Sequence, residues 1–269
     1  MRRFEYARPS TLPEAVALLT YEGERAKVLA GGTDLLIRLR DRTLTPAVVV
    51  DIKRIPEMAP AITQESGRVR ISAGTTMTTL VESDLLRRSF PALVEAARYV
   101  GSVQIRNRAT LAGNQCNASP AADTATPLLV YGAVVVATGT GGERRIPLDE
   151  FFVRSGVTTL AVGELVTAIE LPLPSGARRS AFQRRTRRRG HDLASVTVAI
   201  ALAEDGARLA YGSLGPRPRL LVGEPGSVEE LLERAVSEAT PSPTSMRAGP
   251  EYRLAMLRVL GRRAIEAAA

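Results

Sequence analysis

Between two ordinary apolar, periodic segments lies Gly101 to Pro127, GSVQIRNRATLAGNQCNASPAADTATP. It is polar and rich in small residues. Its two glycines, two prolines and three asparagines suit neither a helix nor a strand interior. The residues predict a long loop, and such loops inside a compact domain are usually functional or disordered. The composition argues against disorder. Leu111, Ala112, Ala118, Ala121, Ala122 and Ala125 are small and buriable, and net charge is low. Thr110, Asn114, Asn117, Ser119 and Asp123 can hydrogen-bond a ligand or cap exposed backbone groups. Gly113, without a Cβ, lets the main chain approach a bulky partner closely.

A second stretch answers it upstream: Lys27 to Leu36, KVLAGGTDLL. Val28 and Leu29 read as the end of a short strand, and Ala30-Gly31-Gly32 as a tight turn. Thr33 or Asp34 is a fitting N-cap for a helix from Leu35 to about Leu39. A glycine turn feeding a helix start leaves free N–H groups and a positive dipole end converging on one spot, which suits a phosphate.

The pair is more specific than either member. TLAGN and NASPAAD, preceded by QIRNR and matched with the upstream AGGTDLL, closely resemble the FAD-binding (medium) subunits of the molybdenum hydroxylases, such as those of carbon monoxide and xanthine dehydrogenases. The resemblance runs over the whole chain and is sharpest at residues 27–36 and 100–127. It implies FAD lying extended between two subdomains, with a third shielding part of the ring. The positions it implies for the diphosphate and nearby groups are Lys27, Val28, Leu29, Ala30, Gly31, Gly32, Thr33, Asp34 and Leu35. The second motif carries over onto Val100, Gly101, Thr110, Ala112, Gly113, Asn114, Cys116, Asn117 and Asp123. Val166 and Leu193 match apolar flavin contacts. Arg184 stands where the family typically has a lysine near the ring, and a planar fork differs from a point charge. TLAGN replaces the family's usual TIGGN; Ala112 still allows a close approach at negative φ. No catalytic acid–base pair or metal ligand set is implied on this chain, because flavin carries the chemistry and the protein binds and tunes it. The implied partners are an iron–sulfur small subunit with two [2Fe–2S] clusters and a molybdopterin large subunit, assembled as a dimer of heterotrimers. In that relay FAD on this chain passes electrons from the clusters to an external acceptor.

Bulk properties bound the alternatives. The chain has 269 residues, enough for one large or two small domains with sizeable cores. Apolar residues make up 45%, but aromatics only 4% with no Trp, so the cores must be built from Ala, Leu and Val. A single cysteine, Cys116, excludes an internal disulfide and an all-cysteine iron–sulfur or zinc site. The N-terminus lacks the apolar core of a signal peptide and no run is long enough to span a membrane, so the expected compartment is the cytoplasm. The net charge of +8 is almost all arginine; lysine occurs only at 27 and 53. Basic charge without stacking aromatics or a recognisable module is a weak nucleic-acid signal, and no nucleic-acid partner is expected.

In order along the chain, the fold class reads as α+β. Residues 1–55 form a small α/β unit, with Pro13 in the first turn of a helix that a Thr11/Glu14 pair caps and a buried strand from Ala47 to Ile52. Residues 56–172 form a larger α+β unit. Strands are predicted from Arg68, at Ala133–Ala137 and at Glu164–Leu171, with helices over 75–86, 91–100 and 125–131. Residues 173–269 form a third unit, a three-stranded antiparallel meander (178–187, 193–202, 207–214) followed by helices over 228–239 and 251–268.

Other signals invite sharper readings. Gly139-Thr-Gly-Gly follows a strand as a dinucleotide fingerprint would, but Arg144 takes the sixth position and a strand-like ERRIP follows, so a hairpin turn is predicted. His191 is the sole histidine, without a partner for a metal or triad, and reads as a surface residue. Taken alone, Cys116 reads as a small buried thiol. Seven arginines between 178 and 189 read either as one solvated strand face plus a loop or, more sharply, as placing one cation against the flavin ring. The competing functional reading is a stand-alone FAD-dependent reductase similar in fold to the enolpyruvyl-glucosamine reductases. A basic nucleic-acid binder is the third. Bound yellow cofactor distinguishes the last from the others, and co-purifying iron and molybdenum separate the first two.

Overall fold

The computed structural model describes residues 1–188 and 190–269; Arg189, the last of the seven clustered arginines, lies outside the described residues. Short β-branched and alanine-rich runs make the first sheet: β1 (Glu5–Ala7), β2 (Ala26–Leu29) and β3 (Val48–Asp51), in the order β1-β3-β2 and parallel throughout. All four residues of β3 are buried, as expected of a central parallel strand. Helix α1 (Leu12–Glu22) connects β1 to β2, and α2 (Leu35–Arg40) follows the glycine turn. Thr11 caps α1 by accepting from the Glu14 N–H, while the Glu14 carboxylate accepts from the Ser10 N–H and hydroxyl.

The second sheet is antiparallel, in the order β4-β5-β10-β6-β7. Its strands are β4 (Ile62–Glu65), β5 (Arg68–Ser72), β6 (Val134–Gly139), β7 (Gly142–Pro147) and β10 (Leu165–Pro172), and a small ribbon of β8 (Phe152–Arg154) and β9 (Val157–Thr158) precedes β10. Gly139 pairs with Gly142 at the β6–β7 turn, so the glycine cluster there is a hairpin. Helices α3 (Met77–Glu82), α4 (Asp84–Ser89) and α5 (Pro91–Arg98) lie between β5 and β6. The single helix predicted over 75–86 is two, because Ser83 adopts extended backbone angles and its hydroxyl accepts from the Leu86 N–H to start α4.

The segment 101–127 is not one loop. It folds into α6 (Val103–Arg106), α7 (Leu111–Cys116) and the start of α8 (Ala125–Val130); α9 (Leu148–Phe151) comes later. Ser102 and Thr110 cap the first two through their hydroxyls. Tertiary bonds then hold α7 in place: the Leu111 N–H donates to the Thr75 carbonyl and the Met77 N–H to the Ala109 carbonyl. Helices this short are not stable alone, which is why their sequence carries no helical period.

The third sheet has four strands, not three: β11 (Arg178–Arg185), β12 (Val196–Ala203), β13 (Gly206–Gly212) and β14 (Arg219–Gly223), a simple antiparallel meander. Pro216 and Pro218 stand directly before β14, and its five residues fall between turn signals, so its period is too short to read. Both faces of the sheet are buried. Phe182, Ala199, Ala201 and Ala210 join the core of the first two units. Val196, Val198, Ile200, Leu209 and Tyr211 face α10 (Val228–Glu238) and α11 (Pro250–Ala268).

Candidate functional site

The Ala30-Gly31-Gly32 turn leaves β2 and enters α2. Gly32 has φ +78°, a conformation that favours glycine, and a Cβ on Gly31 would collide with the carbonyl oxygen of Arg108. The two motifs are therefore in direct contact through backbone that only glycine permits. Leu36 N–H donates to the Gly32 carbonyl. Among the described residues the backbone N–H groups of residues 30–35 make no hydrogen bond within the chain. A run of unpaired donors at the start of a helix is a fixed anion cradle.

This cradle opens into a cleft of about 750 Å³, toward the large end of small-molecule sites. The opposite wall is α7 and its flanks. Gly101, at φ +57°, turns the chain there, and its carbonyl and that of Val100 accept from Arg106. Asn114 is oriented by its neighbours: Oδ1 accepts from Thr124 Oγ1 (2.7 Å) and from Gln115 Nε2 (3.1 Å), which leaves its NH₂ group to donate elsewhere. Asn117 Nδ2 donates to Asp34 Oδ1 at 3.3 Å and so ties the two motifs across 83 residues. Burial pushes the Cys116 thiol up to about 12, so it is neutral. Burial also pushes Asp123 up to about 7, against the opposing charge of Arg184.

Of the residues named from sequence, the lining holds Lys27, Val28, Ala30, Gly31, Gly32, Thr33, Asp34 and Leu35 from the first motif. It also holds Val100, Gly101, Thr110, Ala112, Gly113, Asn114, Cys116, Asn117 and Asp123, with Val166 and Leu193. Leu29 and Arg184 are not in it. Leu29 sits beneath the turn, close to where a Gly32 side chain would be. Arg184 stands behind the wall, paired with Asp123 at 3.2 Å. His191 is exposed, as expected, but it lies at the cleft with Asp192.

Sequence reasoning missed one wall altogether, the segment from Gly156 to Leu165. Its available signals were Gly156 and Gly163, both with positive φ and with an apolar run between them. Tyr99 was also missed, although a half-exposed aromatic next to Val100-Gly101 is notable in a chain so poor in aromatics.

The arrangement can bind and orient. It offers phosphate-compatible donors, apolar walls and fixed amides. Among the described residues no group of three or more His, Cys, Asp or Glu is placed to hold a metal. Fold and cleft thus define a protein with one large cleft where the two glycine-containing motifs meet. The model of the FAD-binding domain in molybdopterin dehydrogenase matches residues 2–174, and the chain belongs to this family. It is an oxidoreductase subunit whose own cofactor is FAD. The chain is 34% identical to the carbon monoxide dehydrogenase medium chain of Afipia carboxidovorans, over 98% of this chain and 96% of that one. It is 32% identical to the xanthine dehydrogenase FAD-binding subunit of Escherichia coli, over 98% and 95%. Among solved structures, the reconstituted carbon monoxide dehydrogenase of Oligotropha carboxidovorans superposes with a TM-score of 0.93 at 30% identity, covering 99% of this chain and 98% of that one. Quinoline 2-oxidoreductase of Pseudomonas putida superposes with a TM-score of 0.89 at 25% identity, covering 99% and 97%.

Proposed function

We propose that this chain is the flavin link of a three-component molybdenum hydroxylase. An iron–sulfur subunit with [2Fe–2S] clusters supplies electrons, a molybdopterin subunit oxidises the substrate, and FAD on this chain delivers the electrons to an external acceptor. The observation that carries the reading is the meeting of AGGTDLL and TLAGN across one cleft, with unpaired N–H groups at residues 30–35. In this reading the N–H groups of Gly31, Gly32 and Thr33 hold the diphosphate, and Lys27 lends positive charge. Asn114 donates its amide hydrogens. Thr110 holds Gly113 in place for a close approach, while Asp34 and Asn117 brace the two walls. Val28, Ala30, Leu35, Val100, Gly101, Ala112, Cys116, Val166 and Leu193 supply apolar or backbone contact, and Asp123 lies nearest the third unit. Bound flavin supplies one- and two-electron transfer; the residues bind it, orient it and exclude water. Units 1–55 and 56–172 form the FAD module, and unit 173–269 covers it. The assembly is a cytoplasmic dimer of heterotrimers.

The test is a turnover assay on the metal-free single chain loaded with FAD. It should accept electrons from a chemical reductant and pass them to an artificial acceptor. It should oxidise no aldehyde, purine or carbon monoxide until a cluster-bearing and a molybdenum-bearing chain are added. Substrate-dependent flavin reduction by the single chain would favour a stand-alone reductase instead.

A further inference from the structure

Arg184 reaches three parts of the cleft from behind. It stands on β11, opposite Thr197 of β12. Its Nε lies 3.2 Å from Asp123 Oδ1, its Nη2 donates to the Asp192 carbonyl at 2.7 Å, and its guanidinium carbon lies 4.8 Å from the centre of the Tyr99 ring. Asp123, Asp192 and Tyr99 all line the cleft. The Arg184 and Asp123 side chains are only 8% and 10% exposed. Asp123 Oδ1 and Arg184 Nε are sealed from solvent and, despite their separation, lack the alignment of a hydrogen bond. Their link is therefore charge on charge, and Arg184's directional bond goes to the Asp192 carbonyl.

A lysine could not do this. One ammonium on a flexible stem can neutralise Asp123, but it has no flat face for Tyr99 and no second arm for Asp192. We propose that Arg184 is a positioning residue for the cofactor: it fixes Asp123, Tyr99 and the Asp192 segment as one wall and sets the charge which that wall presents to bound FAD. This rests on the reading of the cleft as the FAD site.

The charge that acts on Asp123 is Arg184, from β11. On the same cleft α7 contributes Asn114 and Cys116, both neutral. The segment after β11 contributes His191 and Asp192, and Asp192 is drawn to Arg187, 3.8 Å away. Across the cleft Asp34 is tied to Asn117. Among the described residues Arg184 is the cation paired with Asp123. Because burial brings Asp123 to about 7, its charge changes within the neutral range. Covering an ionised carboxylate with a ligand costs more than covering a neutral one, so the wall's charge is readable as the pH dependence of FAD binding.

The experiment measures FAD affinity by quenching of flavin fluorescence from pH 5.5 to 8.5 in the wild-type chain and in Arg184→Gln, Arg184→Lys and Asp123→Asn. Wild-type affinity should fall as pH rises through neutrality. Asp123→Asn should show no such inflection. Arg184→Gln removes the opposing charge and should move the inflection up by about one pH unit or more. Arg184→Lys should restore the inflection toward the wild-type position while binding more weakly at every pH, because the fork is gone. If Arg184→Gln weakens binding by one factor at all pH values and leaves the inflection unmoved, the residue is only structural and the proposal falls. An inflection that persists in Asp123→Asn overturns it equally. Circular dichroism reports folding; should Arg184→Gln not fold, the Arg184→Lys and Asp123→Asn profiles decide the matter alone. A wild-type chain that shows no saturable binding at any pH would instead overturn the reading of the cleft as an FAD site.

Discussion

A residue's function here is set first by what its backbone is allowed to do. Gly32 has φ +78° and neighbours Leu29 and Leu36 at the position of a side chain. Valine there carries a left-handed strain of about 1–2 kcal/mol and pushes on both leucines. Native domains have roughly 5–15 kcal/mol in reserve, so Gly32→Val should fold. It should lose FAD affinity by at least about tenfold, or about 1.4 kcal/mol, because the cradle of N–H groups can no longer converge. Gly67 is the control. Its φ is +73°, but nothing surrounds its missing side chain, so Gly67→Val should cost comparable stability and leave FAD binding unchanged. Equilibrium dialysis with a thermal melt of each variant separates the two effects; equal FAD affinity in folded Gly32→Val would remove the phosphate role from this turn.

At the scale of elements, the second sheet is locked by a buried carboxylate. Glu170 on β10 stands opposite Arg70 on β5, and Arg70 Nη1 donates to it at 2.8 Å. Arg145 on β7 donates from the other side at 3.2 Å. Burial would raise the Glu170 carboxyl, but the hydrogen bonds from Arg145 and Arg70 outweigh burial and hold it below its ordinary 4.5. A carboxyl lowered by folding contributes stability that is present above its unfolded value and lost as pH falls toward the folded one. The urea midpoint should therefore drop as pH falls below 4.5. Glu170→Gln should be less stable than wild type at pH 7, and the difference should shrink in acid. An undiminished difference at low pH would mean that shape, not charge, joins these strands. Asp123 has the opposite sign: raised by burial, it disfavours folding as pH rises toward about 7.

For the whole molecule, the question is how the third unit is held to the cleft. Tyr131, at the end of α8, does much of this. Its hydroxyl accepts from the Ala92 N–H of α5 at 3.1 Å and shares a hydrogen bond with Ser180 Oγ of β11 at 2.6 Å. Its ring meets Phe90 edge-on at 5.1 Å, with the Arg178 guanidinium 4.6 Å from its centre. Tyr131→Phe keeps the aromatic packing but leaves a buried N–H unpaired, a cost of about 1–3 kcal/mol. For a chain of this size that should lower Tm by several degrees, measured by calorimetry. The cleft motifs are untouched, so FAD should still saturate the variant; an unchanged Tm would show that packing alone docks the third unit.

Much of the site was legible because its chemistry is local. The Gly31-Gly32 turn before a helix start, the Thr110 hydroxyl and the run of small and amide residues around Asn114 are patterns of a few consecutive residues, and so both motifs could be read before any fold was known; that Gly31 meets the Arg108 carbonyl and Asn117 meets Asp34 came only with the fold. The β6–β7 hairpin and the α10 and α11 helices were legible for the same reason. What stayed hidden depends on distant pairing. The Gly156–Leu165 wall has ordinary apolar residues and leads into β10, which the fold fixes between β5 and β6. The short helices between 101 and 127 form because Thr75 and Met77 hold their ends. The fourth strand of the last sheet exists because β13 offers it an edge. Arg184 read as a ring contact, but folding turned it behind the wall to Asp123 and Asp192. Backbone freedom and capping are properties of a short stretch, and sequence carries them whole; which face a side chain turns to, and what charge it meets there, are settled only when segments far apart in the chain exclude water together.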